Sequence, residues 1–209
     1  NSARRSFSVG GPQPLPMQDI EPFFRWRDRY IAARDERSPF YGRVYSEFEY
    51  SQTIYNYYIH PQWDNFGSAT LYAKILFADY DQHYAIIELI GEWNDAVNND
   101  VMFLKRELID ALMTEEIYRF IIIAENVLNF HGDEADYYEE WYEDMQEYNG
   151  WAVILNLQDH VYQEMRETQI DQYVHFGNIF NDINWRPHEP HRVYEAIEGV
   201  LSQETRRIY

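Results

Sequence analysis

The hydrophobic pattern divides the chain into segments with different periods. In TLYAKILFADY (Thr70–Tyr80) the residues Leu71, Ala73, Ile75 and Phe77 alternate with others, and after the polar turn DYDQH the chain returns as YAIIELIGEW (Tyr84–Trp93). Alternation with a period of two predicts β-strands, and the short polar connection predicts a hairpin. The β-branched and aromatic residues of TIYNYYI (Thr53–Ile59) predict an earlier strand.

After the hairpin the period becomes helical. Val101, Leu104 and Leu108 recur at spacings of three and four in NNDVMFLKRELIDALMTEEI, which predicts a helix that Asp100 can cap. Continuous apolar runs of strand length are typical of strands covered on both faces. The other predicted elements are strands at Arg119–Asn126, Trp151–Leu157 and Asp171–Gly177 and helices at Asp133–Tyr148, Asp159–Glu167 and Pro190–Thr205.

The order of these elements predicts the fold class. From Thr70 onward a hairpin is followed by helices and strands in alternation. Such alternation indicates an α/β fold with a mixed, mostly parallel sheet, right-handed crossovers and one antiparallel hairpin. Within this sheet, Glu88 of AIIELI is expected to point outward from a half-exposed strand.

Composition divides the chain into three parts. Residues 1–18 are rich in Gly, Pro and Ser, which is typical of a flexible lead. Residues 19–52 are predicted to form a helical and irregular N-terminal extension, aromatic and rich in Arg, that packs on the body. Its expected helix begins at Asp19 and ends near Glu36. Residues 53–209 are predicted to form a single α/β domain.

Three short motifs carry a resemblance in architecture. GEWND follows the second hairpin strand, IIIAEN precedes the acidic stretch, and AVILNL precedes a short helix. With the element order from Thr70 to Leu201, they resemble the sulfate-transporter and anti-sigma-factor-antagonist (STAS) domain. The resemblance implies a regulatory binding module, often switched by phosphorylation of a Ser at the start of the helix after the buried strand. No Ser or Thr lies between Asn126 and Glu167, so that switch is not supported.

A second resemblance rests on HPQWDNFG, ILFADYD and LIGEWND. These segments are similar to an uncharacterised bacterial protein family. That family implies no activity for the chain.

The stretch HGDEADYYEEWYEDMQEYNGW (His131–Trp151) holds eight carboxylates and no Lys or Arg. As a helix it places most of the acids on one side, and its other face is formed by Ala135, Tyr138, Trp141, Tyr142, Met145 and Tyr148. Acids at i, i+4 repel one another, and a face that serves only solubility normally includes Lys. We therefore expect either a docking surface for a basic partner or a solvated helix face. The predicted docking residues are Asp136, Glu139, Glu140, Glu143, Asp144 and Glu147.

Polar residues follow each predicted parallel strand and form a second candidate site. Ligands of parallel sheets tend to bind beyond the carboxyl ends of the strands, and a carboxylate beside an imidazole suits acid–base chemistry. Asn and Asp are also the ordinary residues of strand ends and helix caps. The predicted polar rim consists of Glu92, Asn94, Asp95, Glu125, Asn126, Asn156, Asp159 and His160.

Charge and composition then limit the classes of function. The formal net charge of −19 disfavours nucleic acid and anionic membranes as partners. The chain has no Cys, no apolar run that could span a bilayer and no signal-peptide core near Asn1, so we expect a soluble, cytoplasmic protein. Residues 1–47 hold eight Arg and six acids, whereas the rest of the chain is strongly acidic. Such a charge asymmetry often marks an interaction, here either with a partner or between the extension and its own body.

The sequence contains no nucleophile elbow, Walker A motif or dinucleotide-binding glycine pattern. We predict no catalytic residue, no metal site and no cofactor. The sequence favours a non-enzymatic protein-interaction or regulatory module with an acidic docking helix, whose partner is a basic protein or a second copy of the chain. The alternative is an enzyme or small-ligand-binding protein that uses the polar rim.

Overall fold

A six-stranded mixed β-sheet forms the centre of the protein, in a computed structural model that describes residues 20–54 and 57–208. The predicted flexible lead, residues 1–18, and the predicted helix start Asp19 lie outside the described residues. In chain order the strands are β1 (Thr53–Ile54), β2 (Tyr57–Tyr58), β3 (Asp64–Asn65), β4 (Leu71–Asp79), β5 (Tyr84–Asn94), β6 (Arg119–His131), β7 (Trp151–Leu155) and β8 (His175–Phe176).

The strand order confirms the predicted fold class. β3 to β8 lie side by side in the order of the chain, while β1 and β2 form a separate antiparallel pair. β3, β4 and β5 pair antiparallel, and β5, β6, β7 and β8 pair parallel. The protein is therefore a mixed α/β structure with a mostly parallel sheet and an antiparallel hairpin.

Helices occupy the connections between the parallel strands. The connection from β5 to β6 holds a short helix and then one continuous helix with a π-helical middle. The other two connections hold one α-helix each, and the one from β7 to β8 also holds a 3-10 helix at Ile170–Gln172. After β8 come a 3-10 helix at Asn178–Asn181 and then the longest helix. The helices are α1 (Asp95–Asn98), α2 (Asp100–Phe103), the π-helical segment (Leu104–Ile109), α3 (Asp110–Thr114), α4 (Asp136–Gln146), α5 (Asp159–Glu167) and α6 (Pro190–Ile208).

The sheet is covered on both faces. Consecutive strands are neighbours, and right-handed crossovers all turn the same way, so the connecting helices collect on one face. The core on that face includes Leu108 of the π-helical segment and Trp141 of α4. The core on the opposite face includes Trp26 and Trp185 together with Ile197 of α6. The middle strands are therefore buried on both sides, as their continuous apolar runs predict.

The N-terminal extension differs from its predicted helix. Instead of a helix up to Glu36, the described part has turns at residues 25–29 and a 3-10 helix at Ala32–Arg34. The backbone N–H of Phe23 donates to the carboxylate of Glu88 at 2.9 Å. This contact with a distant strand holds the chain against the sheet and overrides its local helical preference.

Three predicted strands also differ in extent. β6 continues past the predicted end at Asn126 to His131, because it keeps pairing with the long strand β5. β8 is reduced to two residues, because Ile170–Gln172 forms a 3-10 helix. The predicted single strand TIYNYYI contains β1 and β2, which pair with each other instead of running on as one strand.

Replacing Gly91 with Ala is expected to lower the free energy of unfolding by about 2 kcal/mol. Gly91 has a φ of +116°, and a Cβ atom there would overlap the backbone oxygen of Thr70 and lie 2.6 Å from Ile54 Cδ1. Gly199→Ala is the control, because Gly199 lies in α6 and a Cβ added there meets nothing within 4 Å among residues 20–54 and 57–208. Ala should stabilise that position by up to ~1 kcal/mol. Urea unfolding measures both variants, and an unchanged Gly91→Ala protein would contradict the strain argument.

Candidate interaction surface

Helix α4 forms within the predicted range Asp133–Tyr148 and buries part of the predicted apolar face, since Tyr142 is 36% and Tyr148 is 50% exposed. Tyr138, Trp141 and Met145 recur at helical spacing and are 0–1% exposed. The ring of Trp141 meets Phe120 of β6 edge-on, with ring centroids 5.7 Å apart. The helix ends before Gly150, whose backbone N–H donates to the carbonyl of Met145 at 2.8 Å. Burial of this face fixes which side of α4 points to solvent.

Four carboxylates occupy the solvent side of α4. Asp136, Glu139, Glu143 and Glu147 are exposed, and none of them forms an ion pair within residues 20–54 and 57–208. The pKa of the Tyr173 hydroxyl is raised, first by desolvation and then by the negative charges of Glu139, Glu143 and Asp136. The outer side of α4 is therefore a concentrated negative surface.

Glu140 and Asp144 lie on the inner side of α4 and are already paired. The side chain of Lys105 is fully buried, and its Nζ donates to Asp144 at 2.7 Å and lies 3.6 Å from Glu140. Arg106 donates hydrogen bonds from both terminal nitrogens to the carboxylate of Glu140, and the one from Nη2 is 2.8 Å long. The hydrogen bond from Arg106 lowers the pKa of Glu140. Two of the six predicted docking residues therefore attach α4 to the π-helical segment.

A groove lies at the carboxyl end of α4. Its cavity of about 330 Å³ is lined by Tyr118 and Tyr148 together with the carboxylates of Asp110, Asp144 and Glu147. The two tyrosine rings stack with centroids 3.9 Å apart and planes 4° from parallel. An aromatic face beside carboxylates suits a Lys or Arg side chain, because cation–π attraction and ion pairing act on it together. No sequence pattern indicated this groove, since Tyr118 precedes β6 and lies far from α4 in the chain.

The rim residues at the end of β5 are engaged in local structure. Asn94 caps α1 by accepting the backbone N–H of Val97 at 3.0 Å. Asp95 is buried and accepts three hydrogen bonds, the shortest being 2.6 Å from the hydroxyl of Tyr138. Burial raises the pKa of Asp95 to about 6, although these hydrogen bonds oppose the rise. Glu92 is also buried and accepts from the Asn94 side chain at 3.2 Å.

The rim residues of β6 lie within the strand and not beyond its end. Glu125 forms an ion pair with Arg186. Asn126 approaches the buried Glu88, with its Nδ2 3.5 Å from the carboxylate. Glu125 therefore joins β6 to the segment that precedes α6, whereas Asn126 contacts the neighbouring strand β5.

The rim residues after β7 also have partners in the fold. Asn156 donates its side-chain amide to the carbonyls of Asn181 and Ile183, at 3.1 and 3.0 Å. His160 Nε2 lies 2.6 Å from the carbonyl oxygen of Leu128. Asp159 is exposed at the first position of α5.

The strand register divides the rim into two groups. Asn94 at the end of β5 is level with His131, whereas Ile123 is level with Leu155 at the end of β7. Glu125 and Asn126 therefore lie five to six residues before His131, or roughly 15–20 Å along β6 at 3.3 Å per residue. The structure gathers the residues of β6 and those after β7 near one level and places Glu92, Asn94 and Asp95 at another. As a ligand site, the rim stays a prediction.

Glu88 is the chemically unusual residue that sequence reasoning missed. The expectation that it points outward is wrong, because the side chain is 1% exposed beneath the N-terminal extension. Burial raises its pKa to about 7; hydrogen bonding from Phe23 opposes the rise and the charge of Glu125 adds to it. One signal was available: Glu88 has apolar neighbours on both sides, as in a strand that is covered on both faces.

Two features are absent from the part of the chain that the structure describes. No group of three or more His, Asp or Glu side chains that could hold a metal ion occurs among residues 20–54 and 57–208. Within the same residues, no helix combines the length and the apolar character needed to cross a membrane.

Comparisons with known proteins find a likeness in architecture. No protein-family model matches the chain. No curated protein matches it either. A crystal structure described as a candidate anti-sigma factor antagonist from Thermotoga maritima is similar with 12% identity and a TM-score of 0.37, over 51% of this chain and 86% of that one. An NMR structure of the same protein is similar with 11% identity and a TM-score of 0.36, over 54% and 86%. The predicted resemblance to anti-sigma-factor-antagonist structures is confirmed, and it is one of architecture alone.

Proposed function

We propose that this chain is a non-enzymatic protein-interaction module that binds a basic protein partner through α4. The observation that carries the proposal is the one-sided charge of this helix. Asp136, Glu139, Glu143 and Glu147 are exposed together and have no ion-pair partner within the described residues. Like charges at i, i+4 weaken a helix by a few tenths of a kcal/mol per pair, and basic side chains of a partner would remove that repulsion.

The tyrosine groove beside α4 supports the proposal with an anchor point. A Lys or Arg side chain of the partner would lie against the stacked rings of Tyr118 and Tyr148 and reach the carboxylate of Glu147. Such a cation–π contact contributes about 0.5–2 kcal/mol, and tyrosine is among the residues that dominate binding energy at interfaces. Tyr148 is half-exposed and thus accessible.

The paired carboxylates have a different part in this proposal. Glu140 and Asp144 hold α4 on the body through Lys105 and Arg106, so they present the helix and do not dock the partner. The net charge of −19 raises the association rate of a basic partner and makes binding sensitive to salt. Membrane surfaces and nucleic acid, which carry negative charge themselves, do not fit this surface.

Replacing Glu139, Glu143 and Glu147 together with Gln is expected to weaken partner binding about tenfold or more, since exposed ion pairs contribute ~0.2–1 kcal/mol each. The variant should unfold at the same temperature as the native chain or slightly higher, because it removes repulsion along the helix. The measurement is affinity capture from lysate at low and moderate salt, followed by titration of the purified partner against both proteins.

The matched control removes the same charge elsewhere. Glu36, Glu47 and Glu49 are exposed in the N-terminal extension, and their joint replacement with Gln should leave binding unchanged. A partner bound equally well by the α4 variant would contradict the proposal, as would the absence of any partner. If a second copy of the chain is the partner, sedimentation of the purified protein will show a salt-sensitive dimer that the α4 variant does not form.

A further inference from the structure

A cavity of about 400 Å³ lies between the N-terminal extension and β4. We call it the extension cavity; its walls include the rings of Phe23, Trp26, Tyr30 and Tyr45. Small-molecule sites have volumes of roughly 300–1,000 Å³ and combine apolar walls with a few placed polar groups. No residue of α4 lines this cavity, so it is separate from the interaction surface.

The charge of the extension cavity is opposite to that of the protein. The chain has 36 acidic and 17 basic residues, yet among the described residues the cavity is lined by Arg27, Arg34, Arg43 and Lys74 and by no carboxylate. A cluster of like charge is unfavourable in a partly dry space unless an opposite charge is supplied. This lining therefore points to a negatively charged occupant.

Lys74 is the most deeply placed of these cations. The residue is 8% exposed, and its Nζ donates to the carbonyl of Gln62 at 2.9 Å and lies 4.0 Å from the ring centre of Tyr45. The nearest carboxylate oxygen, of Asp64, is 3.9 Å away, and the other oxygen of that group already binds Arg43 and Tyr45. An ammonium group has three donors, so Lys74 keeps donors for a ligand.

Arg27 provides a second cation with an unused donor. Its Nη2 atom is buried and has no hydrogen-bond acceptor among the described residues. Buried donors without acceptors are rare in folded proteins and call for an explanation such as an ion or a ligand. The planar guanidinium binds a carboxylate with two parallel hydrogen bonds.

The aromatic wall of the cavity is held in place by its neighbours. The indole N–H of Trp26 donates to the carbonyl of His188 at 3.0 Å. The ring of Phe23 meets that of Trp26 edge-on, with centroids 5.0 Å apart. The centroid of the Trp185 ring lies 5.6 Å from that of Trp26. A wall that is already ordered loses little conformational entropy when a ligand binds.

We infer that the extension cavity binds a small aromatic carboxylate, whose ring lies against Phe23, Trp26 and Tyr30 and whose carboxylate accepts hydrogen bonds from Arg27 and Lys74. The inference is independent of the proposed docking of a basic partner, because the two surfaces share no residue.

The protonation of Lys74 gives the site a predictable pH dependence. Burial lowers the pKa of Lys74 to about 8; Asp64 opposes this, and the charges of Arg27 and Arg43 add to it. A bound carboxylate favours the charged ammonium and therefore raises the pKa. Affinity should be greatest below the pKa of the free protein and should fall as the pH rises through about 8.

The test is titration calorimetry of the native chain with 2-naphthoate, and with the neutral 2-naphthamide for comparison. We expect one molecule of naphthoate to bind per chain and the amide to bind at least tenfold more weakly, because it cannot pair with the cations. Lys74→Met and Arg27→Gln should each weaken naphthoate binding at least tenfold. Arg192→Gln, which removes an exposed positive charge in α6, should leave it unchanged.

Several results would overturn the inference. These are the absence of binding at millimolar naphthoate, equal affinity for the amide, and native-like affinity in both cavity variants. If Lys74→Met does not fold, Arg27→Gln decides the question, because Arg27 lies in the turn at residues 25–29 outside the sheet. If no partner is found, or the α4 variant binds its partner as well as the native chain does, while naphthoate still binds, the docking proposal is contradicted and the cavity assignment stands.

Discussion

Replacing Lys105 with Met is expected to lower the free energy of unfolding by about 3 kcal/mol. The side chain is fully buried and lies among three carboxylates: it pairs with Asp110, donates to Asp144 at 2.7 Å and lies 3.6 Å from Glu140. Met fills a similar volume, so the main loss is electrostatic. Without the ammonium group that they share, the three carboxylates repel one another. Removing one partner of a buried ion pair costs roughly 3–5 kcal/mol.

The expected effect of Lys105→Met lies at the lower end of that range for a structural reason. The carboxylates of Asp110, Glu140 and Asp144 are 33–45% exposed and can be hydrated once the ammonium is gone. Arg106 also keeps its ion pairs with two of them. Urea unfolding at neutral pH measures the change.

The control and the second variant separate pairing from a general charge effect. Arg192→Met removes an exposed cation whose pair with Glu195 is 58–67% exposed, and it should change stability by less than ~0.5 kcal/mol. Adding Asp144→Asn to Lys105→Met should restore part of the loss, because it removes one of the unpaired carboxylates. If Lys105→Met lowers the free energy of unfolding by less than about 1 kcal/mol, the pairing is contradicted. Glu140 and Asp144 would then be free to bind the partner, as the sequence predicts.

Replacing Glu88 with Gln is expected to stabilise the protein by about 2 kcal/mol at pH 8 and to change little near pH 5. Burial raises the pKa of Glu88 from 4.5 to about 7. The folded protein therefore keeps this proton up to about pH 7, whereas the unfolded chain loses it near 4.5. The native chain binds more protons when folded, so this carboxyl lowers the free energy of unfolding as the pH rises from about 4.5 to 7.

Gln removes that penalty because it stays neutral at every pH. Its side-chain oxygen can still accept the backbone N–H of Phe23, so the extension keeps its attachment to β5. The NH2 group of the introduced Gln can face that of Asn126, and two donors do not pair. The expected gain in the free energy of unfolding is therefore smaller than the ~3 kcal/mol to which the full pKa shift corresponds. Urea unfolding at both pH values measures the effect, with the exposed Glu195→Gln as a control that should show no difference between them.

A destabilised Glu88→Gln protein at pH 8 would contradict this account. It would mean that Glu88 is ionised in the folded state and that its charge is held by the fold. Asp95 acts in the same direction over a lower window: burial raises its pKa from 3.8 to about 6, so it lowers the free energy of unfolding as the pH rises from about 3.8 to 6.

Elements with a clear local period could be predicted from the sequence. The predicted helix Asp159–Glu167 has these bounds in the structure. The apolar face of α4 could be predicted in part, since Tyr138, Trp141 and Met145 are buried whereas Tyr142 and Tyr148 are exposed. Spacing determines which side chains share a face of a helix, but the packing of the neighbouring elements determines how much of that face is buried.

The candidate site could be predicted only in part. The exposed carboxylates of α4 follow from the same helical spacing that buries its apolar face. The neutralisation of Asp144 does not, because Lys105 lies 39 residues earlier in the chain. The tyrosine groove and the extension cavity were not predictable either, since each forms between segments that are adjacent only in the folded protein.

From Thr70 onward the sequence by itself determined the types of the main elements, their order and hence the α/β class, because these depend on local periodicity and on general rules of strand connection. Only the tertiary structure decided the environment of the charged groups. Glu88 is buried because Phe23, 65 residues earlier, lies over it. The predicted rim is divided because β6 pairs with β5 as far as His131. The state of a charged group depends on the burial and charge of partners that are distant in the chain, and no local pattern contains that information.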